Sequence, residues 1–191
     1  SSDLRCDDGL VQYLYYELPY HEKADLTLFL TLSGQAKTIV DIGANTGLFS
    51  VLASLSNPQA SIYSFEPYRV NAGRLKDNLD LNGIRNVTVF EMAIGESDGE
   101  IDFAVPANEA ITDVSSVNQD FSRSIYPDVK WGSSTVKVSR LDRMAQENGW
   151  KVDLIKCDVE SFEMSVFKGA DRILTEDRPA VLFECFWDQE R

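Results

Sequence analysis

Residues 38–48 read Thr38-Ile39-Val40-Asp41-Ile42-Gly43-Ala44-Asn45-Thr46-Gly47-Leu48. A short apolar run rich in β-branched residues enters a turn with two glycines, and a helical pattern then runs from Leu48 to Leu55. Asn57-Pro58 stops that helix. Gly43 and Gly47 let the backbone turn sharply and let a ligand come close where a Cβ would clash. The helix that follows offers unpaired N–H groups at its first turn. A buried strand, a glycine turn and a helix open many ligand-binding α/β sheets.

Outward from this segment the pattern repeats. Residues 61–65 form a second apolar run closed by Glu66-Pro67, a helix is expected over 70–82 with Gly83 as its cap, and 87–91 is a third strand. Further strands are expected at 135–139, 152–157 and 180–184, and helices at 141–148 and 163–174. On the amino-terminal side, Leu10, Tyr13, Leu14 and Leu18 recur at helical spacing, and a second helix is expected over 23–32 before Gly34. Residues 95–135 are less regular, with one alternating strand over 100–105 and then Ser-, Asp- and Asn-rich sequence containing Phe121, Tyr126 and Trp131. The prediction is one α/β domain over 1–191: a doubly wound, mostly parallel, Rossmann-like sheet with an amino-terminal helical segment (1–36) and a partly irregular β insertion (95–135). The three aromatics make that insertion a candidate lid, with an extra sheet edge as the alternative.

Composition narrows the function. Thirty-one acidic against 18 basic side chains give a net charge of −13, which disfavours a nucleic-acid partner. No run of 18 apolar residues crosses a membrane, and residues 1–8 lack the basic-then-apolar order of a signal peptide. Cys6, Cys157 and Cys185 are too few and odd in number for a disulfide framework, so a reducing, cytoplasmic setting is expected. The single histidine, His21, excludes chemistry that needs two, and is expected at the surface.

The glycine turn separates two cofactor classes. The dinucleotide spacing G-x-G-x-x-G falls here on Gly43, Asn45 and Leu48, so two of three glycines are absent. Asp41 adds a negative charge beside the turn, which suits a cation better than a pyrophosphate. S-adenosylmethionine, with its ammonium and sulfonium, is such a ligand. Glu66, 19 residues after Gly47, is placed to accept ribose hydroxyls.

With these motifs in view the sequence resembles the FkbM family of methyltransferases. The likeness runs from about Thr38 to Glu184 and rests on 41–47, Phe65-Glu66-Pro67, Asn78 and Asn82, Met92-Ala93-Ile94-Gly95, and above all 154–163 (Leu-Ile-Lys-Cys-Asp-Val-Glu-Ser-Phe-Glu), followed by Lys168-Gly169-Ala170 and 179–184. The resemblance implies a class I methyltransferase fold, S-adenosylmethionine as cofactor, and O-methylation of a hydroxyl on a sugar or natural-product-like small molecule. It implies cofactor contacts drawn from Asp41, Gly43, Ala44, Asn45, Gly47, Glu66, Pro67 and Asp158, with Met92 and Ala93 by the adenine. Two departures stand out. Ser161 takes the place of the family's glycine, a cost of about 1 kcal/mol if that position is left-handed. The chain also ends just after the fifth core strand, where the full fold adds an antiparallel hairpin.

The fourth core strand ends in Lys156-Cys157-Asp158-Val159-Glu160. Ligands of open α/β sheets bind beyond the carboxyl ends of strands, and alternation would put Lys156, Asp158 and Glu160 on one face. Asp158 or Glu160 is therefore a candidate base, with Lys156 tuning charge and Glu163 orienting. The alternatives are a structural Lys156–Asp158 pair with Glu163 capping the next helix, or a Mg²⁺ or Ca²⁺ site on Asp158, Glu160 and Glu184. As functions, a nicotinamide oxidoreductase and a non-catalytic cofactor- or partner-binding relative stand behind the methyltransferase.

Overall fold

The computed structural model describes residues 20–107 and 127–184, the first five of them by backbone alone. The helix expected around residues 10–18, the side chain of His21, Cys6, Cys185, Phe121 and Tyr126 lie outside the described residues.

Helix α1 (Tyr20–Ser33) leads into β1 (Thr38–Ile42), α2 (Leu48–Ser56), β2 (Ser61–Phe65), α3 (Arg69–Leu81) and β3 (Val87–Phe90). Then come β4 (Ala93–Ile94), β5 (Gly99–Pro106), β6 (Trp131–Ser139), α4 (Leu141–Asn148), β7 (Leu154–Cys157), α5 (Glu163–Lys168), a π-helical turn (Ile173–Asp177) and β8 (Ala180–Phe183). The core sheet has the order β3-β2-β1-β7-β8, and every pair in it is parallel. From β1 the chain builds outward to β3, then returns to the other side of β1 with β7. The strand order thus reverses between β1 and β7, which is where such sheets bind ligands.

Alternation along the strands sorts the core into two layers. Val40, Ile42, Phe65, Ile155 and Cys157 pack with Leu141 and Ala145 of α4 and Val166 of α5. Ile39, Ile62 and Leu154 face the opposite way and pack with Phe29 of α1 and Ala53 of α2. A third cluster docks Val51 of α2 on Leu75 and Leu79 of α3.

Three expectations need correction. Residues 163–174 are not one helix: α5 stops at Lys168, because Gly169 passes the backbone so closely that a Cβ there would lie 2.0 Å from the carbonyl oxygen of Gly95. The chain then restarts under Asp142, whose carboxylate accepts the N–H groups of Arg172 and Ile173 at 3.0 Å each. Strand β7 begins at 154 and not 152, since the Val152 N–H goes to Asp177 Oδ2 at 3.0 Å instead of a ladder. Finally, the strands expected at 100–105 and 135–139 are longer, at 99–106 and 131–139, and with β4 they form a second sheet, β4-β6-β5, in which β5 and β6 pair antiparallel from Gly99↔Val138 to Pro106↔Trp131. Trp131 opens β6 there.

Candidate functional site

The turn after β1 is held in shape by its backbone. Gly43, Asn45 and Gly47 all take left-handed φ values (74°, 50° and 94°), every second residue. The N–H groups of Gly43 and Ala44 both donate to the Phe65 carbonyl at 3.0 Å, tying the turn to the end of β2. The Asn45 N–H donates to Glu66 Oε2 at 2.8 Å, and the Tyr68 N–H to Glu66 Oε1 at 2.8 Å, so one carboxylate braces both loops. On the other side, a Cβ at position 43 would sit 1.8 Å from the Asp158 carbonyl oxygen. Only glycine lets the β1 and β7 loops touch there.

Behind the turn lies a polar row. Ser64, Asp41 and Lys156 are in register across β2, β1 and β7, on the face covered by α2. Ser50 of α2 closes it, donating to Asp41 Oδ2 at 2.6 Å and sharing a 2.7 Å hydrogen bond with Ser64. Lys156 Nζ donates to Asp158 Oδ2 at 3.2 Å and to the Gly43 carbonyl at 3.4 Å, stands 3.9 Å from Asp41 Oδ1, and lies 4.7 Å from the centre of the Phe49 ring.

In front is a cleft of about 900 Å³, open to solvent. Gly43, Ala44, Asn45, Glu66, Pro67, Met92, Ala93, Lys156, Asp158 and Glu160 line it. Asp41, Gly47 and Glu163 are not on its wall. Asp41 is buried in the polar row, and Gly47 packs under α3, where a Cβ would meet Leu75 at 2.8 Å. Glu163 caps no helix; its Oε1 accepts the Val159 N–H at 3.2 Å and so braces the loop that carries Glu160. That loop differs from the expectation of a shared strand face. The strand ends at Cys157, and Glu160 reaches the cleft through a left-handed turn at φ 52°, followed by Ser161 at φ 70°. Sequence reasoning missed Phe49, Asn71, Phe103 and Phe162, which also line the cleft. Phe49 follows the glycine motif by two residues, so its place was readable. Phe103 arrives from the second sheet, and nothing in its local pattern points there.

Burial sets the electrostatics. It pushes the Glu66 carboxyl up to about 7, against the pull of the Tyr68 and Asn45 N–H groups. Glu160 is also pushed to about 7, by burial and by Asp158, Glu184 and Glu163 around it. Asp41 is raised by burial despite Lys156 and Ser50. Burial pulls on the Lys156 ammonium, but Asp158 and Asp41 together hold it above the ordinary lysine value. Burial raises the Cys157 thiol, so it stays protonated and inert. Among the described residues, no three His, Cys, Asp or Glu side chains come together in a way that could hold a metal ion, and no helix is long and apolar enough to cross a membrane.

A family model described as "Methyltransferase FkbM domain" matches residues 41–190. The chain belongs to the FkbM methyltransferase family. It is similar to Methyltransferase 1 of Beauveria bassiana, 30% identical over 146 residues that cover 70% of this chain and 58% of that protein. Methyltransferase sdnD of Sordaria araneosa is 30% identical over 156 residues, covering 70% and 60%. This FkbM chain therefore spans less than two thirds of either relative. Among solved structures, a suggested caffeoyl-CoA O-methyltransferase from Staphylococcus aureus overlays with a TM-score of 0.50 at 12% identity, over 90% of this chain and 62% of that one. At that identity the overlay speaks for the class I methyltransferase fold alone. Within the FkbM domain the match begins at Asp41, so the family's region takes in the glycine turn and the loop after β7 alike.

Proposed function

We propose that this FkbM chain is an S-adenosylmethionine-dependent O-methyltransferase acting on a hydroxyl of a sugar or natural-product-like small molecule. The observation that carries the reading is the donor set of the cleft at the β1/β7 switch point. Asn45 Oδ1 is buried there without a hydrogen-bond partner among the described residues. Beside it stand the Glu66 and Asp158 carboxylates, and among the described residues no cation lines the cleft except the engaged Lys156. Acceptors and acids suit a ligand with an ammonium, a sulfonium and two ribose hydroxyls, and repel a pyrophosphate.

When bound, S-adenosylmethionine supplies an electrophilic methyl on sulfur. The protein's part is placement and proton handling. Glu66 accepts the ribose hydroxyls through lone pairs not used by the Asn45 and Tyr68 N–H groups. Asn45 Oδ1 accepts from the ligand. Glu160, raised to about 7, would take the proton of the acceptor's hydroxyl as that oxygen accepts the methyl the cofactor supplies. Glu163 holds that loop in place by its bond to the Val159 N–H.

Calorimetric titration with S-adenosylmethionine, with NAD in parallel, tests the cofactor. Binding of the first alone is expected, and a folded protein that binds neither overturns the reading. With polyhydroxylated acceptors and labelled methyl, Glu160→Gln is expected to lower turnover about 10²–10⁴-fold with cofactor affinity retained, and wild-type turnover to rise as pH passes through about 7. Undiminished turnover would remove Glu160 from the role.

A further inference from the structure

We infer that the cofactor and a proton compete for Glu66, so that the cleft takes up its cofactor with release of one proton and empties as its surroundings turn acidic. The inference rests on the function proposed above. It starts from the way one carboxylate is held. Glu66 is 4% exposed. Its Oε2 accepts the N–H of Asn45, in the turn after β1, and its Oε1 the N–H of Tyr68, in the loop after β2, both at 2.8 Å. Asn45 and Pro67 of those two loops line the cleft together with Glu66. No salt bridge reaches Glu66 among the described residues. Lys156 is engaged elsewhere, by Asp158 at 3.2 Å, Asp41 at 3.9 Å and the Gly43 carbonyl at 3.4 Å. The other charged groups about the site are Asp41 on β1, Asp158 and Glu160 on the loop after β7, and Arg69, exposed at the start of α3. From β4 and the second sheet come Ala93, Ile94 and Phe103, all apolar.

A carboxylate taken out of water without a bonded cation prefers its neutral form, and N–H groups donated to its oxygens favour the ion. Burial is the larger influence here, and it leaves the Glu66 carboxyl raised to about 7. The two protonation states cannot do the same work. The ion has four lone-pair sites; the Asn45 and Tyr68 N–H groups take two and leave two for the hydroxyls of a ribose. The acid turns one oxygen into a donor, which meets a hydrogen wherever it points into this ring of donors. Neutral Glu66 therefore releases one of the two loops or rejects a ligand hydroxyl. The positive charge of the ligand favours the ion as well. Below about 7 the free cleft carries the proton and must lose it to bind, so affinity falls on acidification by up to about tenfold for each pH unit and levels off above that value.

The test is calorimetric titration with S-adenosylmethionine and with its thioether product, at about pH 5.5 and about pH 7, each in two buffers of different ionisation enthalpy so that released protons are counted. In this range the ligand's own ammonium stays mostly charged. Wild type is expected to bind both probes about 10-fold more weakly at the lower pH and to release close to one proton there. Glu66→Gln is expected to bind more weakly throughout, with no pH dependence and no proton released, while Glu160→Gln keeps the wild-type behaviour. A flat wild-type affinity without proton release would overturn the inference. So would a pH dependence that survives in Glu66→Gln, one that disappears in Glu160→Gln, or one seen with the sulfonium alone. Should Glu66→Gln fail to fold, the wild-type proton count and Glu160→Gln decide between them. A folded wild type that binds neither probe at either pH overturns the underlying function instead, which tells the two failures apart.

Discussion

Glu160 and Ser161 occupy the left-handed region one after the other, with no glycine to ease it. A left-handed L-residue costs about 1–2 kcal/mol, and strain of this kind persists where the surroundings impose it. Here the Glu163 carboxylate on the Val159 N–H and the close passage of Gly43 over Asp158 impose it. Ser161→Gly is expected to raise stability by about 0.5–1 kcal/mol, the relieved strain less the extra freedom glycine has when unfolded. Urea unfolding measures it, and a destabilised variant would show that the serine side chain holds the turn. At this scale the sequence was partly legible. Asn45, Glu66 and Asp158 could be placed from motif position alone. Asp41 could not, because an acid before a glycine turn reads alike whether it faces the ligand or, as here, the inside of the sheet.

Helices α2 and α3 meet where Gly47 lies against Leu75, which is fully buried. The contact joins the glycine turn to the helix that follows Glu66, so packing and site geometry share one side chain. Leu75→Ala is expected to cost about 3 kcal/mol, read as a lowered unfolding midpoint, with cofactor affinity reduced as the turn loosens. A change below about 1 kcal/mol would mean that the helices close over the gap. Elements were legible where apolar periodicity was strong: β1, β2 and α4 have the boundaries their patterns predict. Of the second sheet, the strands expected at 100–105 and 135–139 are there as β5 and β6, but their pairing was not legible, since β4 is only two residues long and β5 and β6 are far apart in sequence. The break at Gly169 was hidden because it comes from a backbone contact with Gly95, distant in sequence.

Across the whole molecule the acidic surplus makes stability depend on pH in a stated direction. Glu66 rises from its ordinary 4.5 to about 7 in the folded protein, and Glu160 does the same. The folded state then binds protons more tightly than the unfolded one between those values, so stability falls as pH rises through that window. Asp98, lowered by Ser139 and the Arg140 N–H, acts in the opposite sense only at lower pH. The free protein is expected to melt at a higher temperature at pH 5.5 than at pH 8, and Glu66→Gln to reduce the difference. An unchanged melting profile between those values would refute the buried-acid account. The topology itself was legible, since alternating strands and helices allow few orders other than a doubly wound one.

That topology also fixes when the site can exist. Lys156 reaches the Gly43 carbonyl across 113 residues of chain. A ribosome adding about 5–20 residues per second needs roughly 6–23 s for that distance. Until then the nascent chain carries its glycine turn with half a floor and a buried acid with no counter-ion. The first three strands must wait for the fourth, and a chaperone that shields them has that interval in which to act.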